Sequence, residues 1–263
     1  MIIENDHIYN MDCLDGMRDI PSKSIDCVVT DCPYRICSGG VRLVPDGKEC
    51  GGVLKKQQKV QQTSKHGDRL LHNDVSVTPF AMQGKMFANN DIKFYEWLPD
   101  VYRVLKDGTH CYIMVNSRNL KDLQQAAEDV GFEFQNLLVW RKNSATPNKY
   151  YMQQLEFILM LRKGAARNVN DMGITNCLSV PNIIGKGAKN EHPTAKPIAL
   201  MQVMIKQSTN EGDVVLDPFA GGGSTLIAAN RLNRRYIGFE IDKQYYDVAY
   251  NRLYKEPKEQ TLF

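Results

Sequence analysis

The chain has 263 residues, 43% of them hydrophobic and 24% charged, the balance of a soluble globular protein able to bury a sizeable core. No apolar run approaches the roughly 20 residues needed to cross a bilayer, and MIIENDHIYN lacks the basic-then-apolar order of a secretory signal, so no membrane partner is expected. The net charge of +3 hides an asymmetry: residues 35–70 carry eight Lys/Arg against three Asp/Glu, residues 138–190 carry eight against two, and the remainder is acidic. Two basic segments on an acidic body suggest a polyanion such as nucleic acid, although solvated lysine-rich loops read the same way.

In chain order, the first clear element is a β-branched strand at 25–30, IDCVVT, which stops on Asp31-Cys32-Pro33-Tyr34. Residues 38–90 are rich in Gly, Lys, Gln and Ser, and so long a stretch without structural signals inside a compact domain is normally functional or mobile. A helix follows at 92–105, with Phe94, Leu98, Val101 and Leu105 on one face. Next come a strand at 109–115, a helix at 118–130, and strands at 134–141 and 155–161. The last third reads as a helix at 197–209, a strand at 213–217, a helix at 224–233, a strand at 235–240 and a helix at 243–254. Such alternation predicts an α/β fold with a mostly parallel sheet flanked by helices. The seven cysteines are odd in number and scattered, which fits a reducing, cytosolic compartment. Cys27, Cys32, Cys37 and Cys50, with His66 and His72 downstream, form no C-x2-C pair, so no metal site is predicted.

The stretch GDVVLDPFAGGGSTLIAANRLNRRYIGFEID carries the strongest pattern. A strand runs into Asp217, a glycine turn follows, a helix starts near Ser224, and the next strand ends on Glu240. Glycines let backbone approach a ligand, and an acid about 20 residues on holds ribose hydroxyls, so the pattern fits a nucleoside-containing cofactor. The dinucleotide fingerprint would need a third glycine at 226, which is Leu. A turn that need not cradle a pyrophosphate is therefore the better reading, while a glycine run alone is compatible with a surface turn.

TDCPY, DPFAGGGST and the HPTAKP of residues 192–197 together resemble the DNA amino-methyltransferases, which modify exocyclic amines with S-adenosyl-L-methionine. The catalytic motif precedes the cofactor motif, the order of that family's beta group, and the likeness covers most of the chain outside roughly 38–90 and 165–188. It implies a Rossmann-like methyltransferase fold with a mainly parallel seven-stranded sheet in a single domain, 1–263. Its catalytic half would be about 1–163, a short recognition segment 164–190, and the cofactor half 191–256. The resemblance places Asp217, Phe219, Gly221, Gly223 and Ser224 along the cofactor, with Glu240 on its ribose. Thr194 and Lys196 would close over its methionine carboxylate, and Asp12 with Cys13 would read its adenine edge; for Asp12 a turn or cap is the alternative. His192 matches a structural position. Double-stranded DNA is the implied partner, some relatives form homodimers, and the implied setting is the cytoplasm of a bacterium, with a bacterial or phage gene.

The tetrapeptide Asp31, Cys32, Pro33, Tyr34 also makes chemical sense by itself. An aromatic amine is a poor nucleophile because its lone pair is delocalised. Acceptors on both its hydrogens, the Asp31 carboxylate and the Cys32 carbonyl, would localise that pair. A carboxylate with a reference pKa of about 3.9 is too weak to deprotonate the amine beforehand, so catalysis would rest on positioning and on stabilising positive charge. Pro33 would stiffen the loop, and Tyr34 would stack on a base flipped from the duplex. A plain strand-end turn is the alternative for these four residues. Asp in first place leans toward adenine N6 within the family. Cytosine N4, an RNA substrate, or a catalytically silent nucleic-acid-binding subunit are the rival readings.

Overall fold

In the computed structural model, the described residues are 2–33, 42–43, 49–50, 92–147, 150–165, 167–182 and 195–255. The chain divides into two compact units, one of residues 1–33 with 92–263 and one of 34–91. The smaller unit contributes one described feature, strand β3 (Arg42–Leu43) antiparallel to β4 (Glu49–Cys50). The predicted insertion at 38–90 otherwise lies outside the described residues, as do Tyr34, His192 and Thr194.

The larger unit is built on an eight-stranded sheet. Its strands are β1 (His7–Tyr9), β2 (Ile25–Asp31), β5 (Leu105–Val115), β6 (Glu133–Thr146), β7 (Gln153–Arg162), β8 (Cys177–Ser179), β9 (Val214–Asp217) and β10 (Arg235–Phe239). They lie in the order β1-β10-β9-β2-β5-β7-β6-β8, and every neighbouring pair is parallel except β5 with β7 and β7 with β6. Eight strands replace the seven expected. Both β1 and β8 have three residues, too few to show alternation in sequence, and each is held at an edge by one neighbour.

Among the described residues the helices are α1 (Cys13–Arg18), α2 (Phe94–Val104), α3 (Leu120–Val130), α4 (Ile198–Ser208), α5 (Ser224–Arg231) and α6 (Lys243–Tyr254). They pack in two groups, α1 to α3 and α4 to α6. Alternation along the strands explains both. Cys27 and Val29 of β2, Tyr112 and Met114 of β5, and Val215 of β9 join one core with Leu200, Met201, Met204, Leu226 and Ala249 of α4 to α6. Their neighbours Val28, Cys111, Ile113 and Leu216 are equally buried and turn to the other face. The α2 reading needs one correction: the helix ends at Val104, and Leu105 is the first residue of β5. Helix α3 stops where predicted because Gly131 takes φ 112°, a left-handed conformation a side chain would resist, and an added Cβ would also meet the Tyr102 ring at 3.2 Å.

What matters for function is the neighbourhood of β9 and β2. From β9 the chain moves outward through α5 to β10. From β2 it proceeds the other way to β5. The adjacent carboxyl ends of these two parallel strands therefore flank a topological switch point, the place where open α/β sheets bind ligands.

Candidate active site

Asp31 is the last residue of β2, a strand whose six preceding residues are all buried. Asp217 is the last residue of β9. Thr30 ties the two ends together by donating its hydroxyl to Asp217 Oδ1 at 2.7 Å. The Phe219 N–H donates to the same oxygen at 3.1 Å and bends the chain into the glycine turn. Gly221 and Gly223 take φ values of 50° and 79°, left-handed geometry that favours glycine. An added Cβ at Gly223 would also lie 3.0 Å from that of Ala249. Leu226, where a dinucleotide fingerprint has glycine, packs over Gly238, and a Cβ there would meet Leu226 Cδ1 at 2.4 Å. Helix and strand thus approach closely by having the glycine on the strand.

Glu240 follows β10 and is held twice. Its Oε2 accepts from Gly221 N–H at 2.8 Å and its Oε1 from Asp242 N–H at 2.8 Å. Each carboxylate oxygen retains a further lone pair for an incoming hydroxyl. Pairing of β1 with β10 brings the loop after β1 alongside, where Glu240 N–H donates to Tyr9 O at 3.0 Å and Asn10 donates to Glu240 O at 2.8 Å. Asp12 caps α1 by accepting from Leu14 N–H at 2.8 Å, which realises the cap alternative, and Cys13 is the first, buried residue of that helix. Phe219 meets Trp97 of α2 edge-on, with centroids 5.1 Å apart. The fold thus gathers Asp217, Phe219, Gly221, Gly223 and Ser224 along the β9–α5 junction and Glu240 just after β10, with Asp12 and Cys13 at the start of α1 alongside.

Lys196 is engaged by two carboxylates of the protein itself. Its ammonium donates to Asp31 Oδ2 at 2.6 Å and lies 3.6 Å from Glu156 Oε2. Glu156 in turn pairs with Lys142. Sequence reasoning passed over Glu156 and Lys142. The available signal was an acid inside the apolar strand LEFILML, which a half-buried strand tolerates only with a partner. Burial raises the Asp31 carboxyl above its ordinary range, against the pull of Lys196. Burial also works against the charge on Lys196, yet Asp31 and Glu156 hold its pKa above the usual lysine value. Asp217 is pushed up to about 6 by burial, partly offset by its hydroxyl and backbone donors.

Cys32 is buried, donates to Met114 O at 3.7 Å, and is held far from ionisation by burial and by the neighbouring Asp31. Among the described residues three buried side-chain atoms have no partner: Asp31 Oδ1, Ser224 Oγ and Trp97 Nε1. Asp31 and Ser224 flank the switch point. Unpaired buried polar atoms are costly, so two beside the switch point are groups that a bound ligand could satisfy. No group of three or more His, Cys, Asp or Glu among the described residues is arranged to hold a metal.

A mostly parallel sheet with a glycine turn at a topological switch point, an acid after the next strand and an unsatisfied carboxylate at the end of the strand beside the turn fits the class of nucleoside-cofactor α/β domains. Comparison with known proteins narrows the class. A family model described as DNA methylase, of the N6/N4 methyltransferase type, matches residues 25–251. The chain is 32% identical over 265 residues to the type II methyltransferase M2.DpnII of Streptococcus pneumoniae, covering 95% of this chain and 90% of that one. Among solved structures it is similar to the M1.HpyAVI–SAM complex, with a TM-score of 0.61 and 24% identity over 94% of this chain and 98% of that chain. It is also similar in fold to the PvuII DNA methyltransferase (cytosine-N4-specific), with a TM-score of 0.64 and 16% identity over 98% and 89%. The chain belongs to the N6/N4 DNA methylase family of amino-methyltransferases.

Proposed function

We propose that this enzyme transfers a methyl group from S-adenosyl-L-methionine to the exocyclic N6 of adenine in double-stranded DNA. The observation that carries the reading is Asp31 Oδ1, a buried acceptor without a partner, one strand away from the Asp217 glycine turn. The cofactor fits the residues present. Glu240 would take its ribose hydroxyls and Ser224 Oγ would gain a partner. The turn needs no phosphate, and the Asp12–Cys13 corner adjoins Glu240. When bound, the cofactor supplies an electrophilic methyl group on a sulfonium.

The protein's own part is to hold and polarise the amine. Asp31 Oδ1 accepts one N–H and the Cys32 carbonyl the other, which localises the nitrogen lone pair and stabilises positive charge as it develops. Asp31 then takes the proton released from the methylated nitrogen. The buried Cys32 thiol forms no bond to the base. A flipped base needs a duplex docked at this edge of the sheet, and the β6–β7 hairpin supports that docking. Antiparallel to β5, β7 begins at the edge where β2 ends, and the hairpin continues past Val115↔Phe157 to Thr146↔Gln153. Its tip exposes Tyr150 at 88% and Tyr151 at 87%, within the basic segment 138–190.

A second reading, methylation of cytosine N4, is favoured by the likeness to the cytosine-N4-specific PvuII enzyme. Both targets are exocyclic amines and both need the same acceptors; only the first-position Asp leans to adenine. Methylome sequencing of DNA exposed to the enzyme and cofactor decides base, atom and context together. N6-methyladenine is expected; N4-methylcytosine would install the second reading, and unmodified DNA would overturn both.

A further inference from the structure

Four ionisable side chains form a chain of alternating charge at the end of β2: Asp31, Lys196 ahead of α4, Glu156 of β7 and Lys142 of β6. All are at least mostly buried, with side-chain exposures of 26%, 10%, 23% and 19%. The Lys142 ammonium also lies 5.4 Å above the Trp140 ring, and Trp140 faces Glu156 in the strand register.

The arrangement raises a problem for the chemistry. Asp31 assists methyl transfer by favouring positive charge on the amine nitrogen, yet Lys196 places a cation directly on Asp31. Asp31 and Lys196 together are neutral and would do little for an emerging cation. Glu156 restores one negative charge next to Lys196, while Lys142, on the far side of Glu156, shields it from being an unpaired buried anion. Removing Glu156 alone would leave Asp31, Lys196 and Lys142 with a net charge of +1 facing the reaction.

We infer that Glu156 is a positioning residue for methyl transfer: it holds Lys196 on Asp31 Oδ2, which leaves Oδ1 as the acceptor for the amine, and it cancels the ammonium charge beside the reacting nitrogen. The inference rests on the methyltransferase reading above. It adds two residues, Glu156 and Lys142, that no motif of the sequence contains. Among the described residues, the charged groups facing Asp31 are Lys196 from the segment before α4, Glu156 from β7, Lys142 from β6 and Asp217 from β9; β5 presents the uncharged Met114 in register. Among them Glu156 raises the Asp31 carboxyl and Lys142 lowers it.

Two variants of opposite charge effect therefore give opposite signs. Glu156→Gln removes an anion, so Asp31 ionises more readily and the acid limb of the kcat–pH profile moves to lower pH. Lys142→Gln removes a cation, so the limb moves to higher pH. At neutral pH Glu156→Gln should lower kcat roughly ten- to a hundredfold, the effect of one full charge about 6–12 Å from the reacting centre at an effective dielectric of about 20. The KM for cofactor should be unchanged, and Glu156→Asp should recover part of the rate.

The test measures kcat and KM on duplex DNA from about pH 5 to 9. A carbon-13 NMR titration of Asp31 in the cofactor-free protein accompanies it, with the resonance assigned by its loss in Asp31→Asn. Opposite shifts of the limb and of the Asp31 resonance in Glu156→Gln and Lys142→Gln support the inference. Unmoved or same-direction shifts, or an unchanged kcat in Glu156→Gln, overturn it. Should the wild-type enzyme methylate no DNA, the methyltransferase reading fails, and the NMR titration still decides the electrostatic claim by itself.

Discussion

Asp217 offers the sharpest numerical test of how this site is built. It is 2% exposed, and burial raises its carboxyl from 3.8 to about 6. A folded-state pKa above the unfolded value means that the folded protein holds this proton more tightly between pH 4 and 6. Stability should therefore fall as pH rises through that window and level off above it. The difference of about 2.2 units corresponds to about 3 kcal/mol, a large share of the roughly 5–15 kcal/mol typical of a domain. Asp217→Asn keeps an oxygen to accept from Thr30 and Phe219 but cannot ionise, so its stability should lack this component. Asp31 and Glu240, also raised, contribute slopes of the same sign, and Glu156 and Asp107, held low, the opposite. The wild-type minus Asp217→Asn difference isolates the one group. Urea unfolding of the cofactor-free proteins at intervals between about pH 4 and 8 measures it. Parallel stability curves for the two proteins would refute the argument. Calorimetry supplies a second readout: a cationic cofactor should bind wild type more tightly as pH rises through about 6, a dependence Asp217→Asn should lose.

Glu240→Ala frees the Gly221 and Asp242 amides as well as any ribose contact, so cofactor affinity should fall by more than the about 1.5–3 kcal/mol of one charged hydrogen bond. Glu240→Gln should fall by less, and calorimetry finding wild-type affinity in both would remove the ribose assignment. Asp31→Ala should abolish methyl transfer while Cys32→Ser and Cys32→Pro keep most of it; a covalent DNA adduct trapped on Cys32 would contradict this. Tyr150→Ala with Tyr151→Ala should raise the KM for DNA by about tenfold or more, the scale of lost base stacking, and leave cofactor affinity unchanged. An unaltered KM would place the duplex elsewhere. Neutralising Lys55, Lys56 and Lys59, outside the described residues, should flatten the salt dependence of DNA binding by up to about three units of log–log slope, and an unchanged slope would assign that segment to solvent.

What the sequence made legible follows element length. Strands β2, β5, β7, β9 and β10 contain runs of apolar residues bounded by turn chemistry, and the helices α3 to α6 carry caps or period. The three-residue β1 and β8 contain too little pattern and exist only because β10 and β6 offer them an edge. The glycine turn and Glu240 were legible because their chemistry is local: a strand, left-handed residues and an acid at fixed spacing. The Asp31–Lys196–Glu156–Lys142 chain was not, since its members come from four elements and meet only through sheet pairing. Lys196 illustrates the difference. Its motif suggested a carboxylate partner, and the structure gives it two from the protein itself.

The order of the motifs along the chain also loses its importance once the sheet is assembled. Asp31 and Asp217 are far apart in sequence, but β2 and β9 are direct neighbours, paired through Cys27↔Val215 and Val28↔Leu216. In a parallel sheet, neighbours present their carboxyl ends at the same edge whatever their order in the chain. The two strand ends proposed to serve the cofactor and the amine therefore meet by pairing alone, and the Thr30 hydroxyl on Asp217 fixes their spacing one residue from Asp31. A permuted chain keeps the site because the site belongs to the strand order β9-β2, not to the order of synthesis.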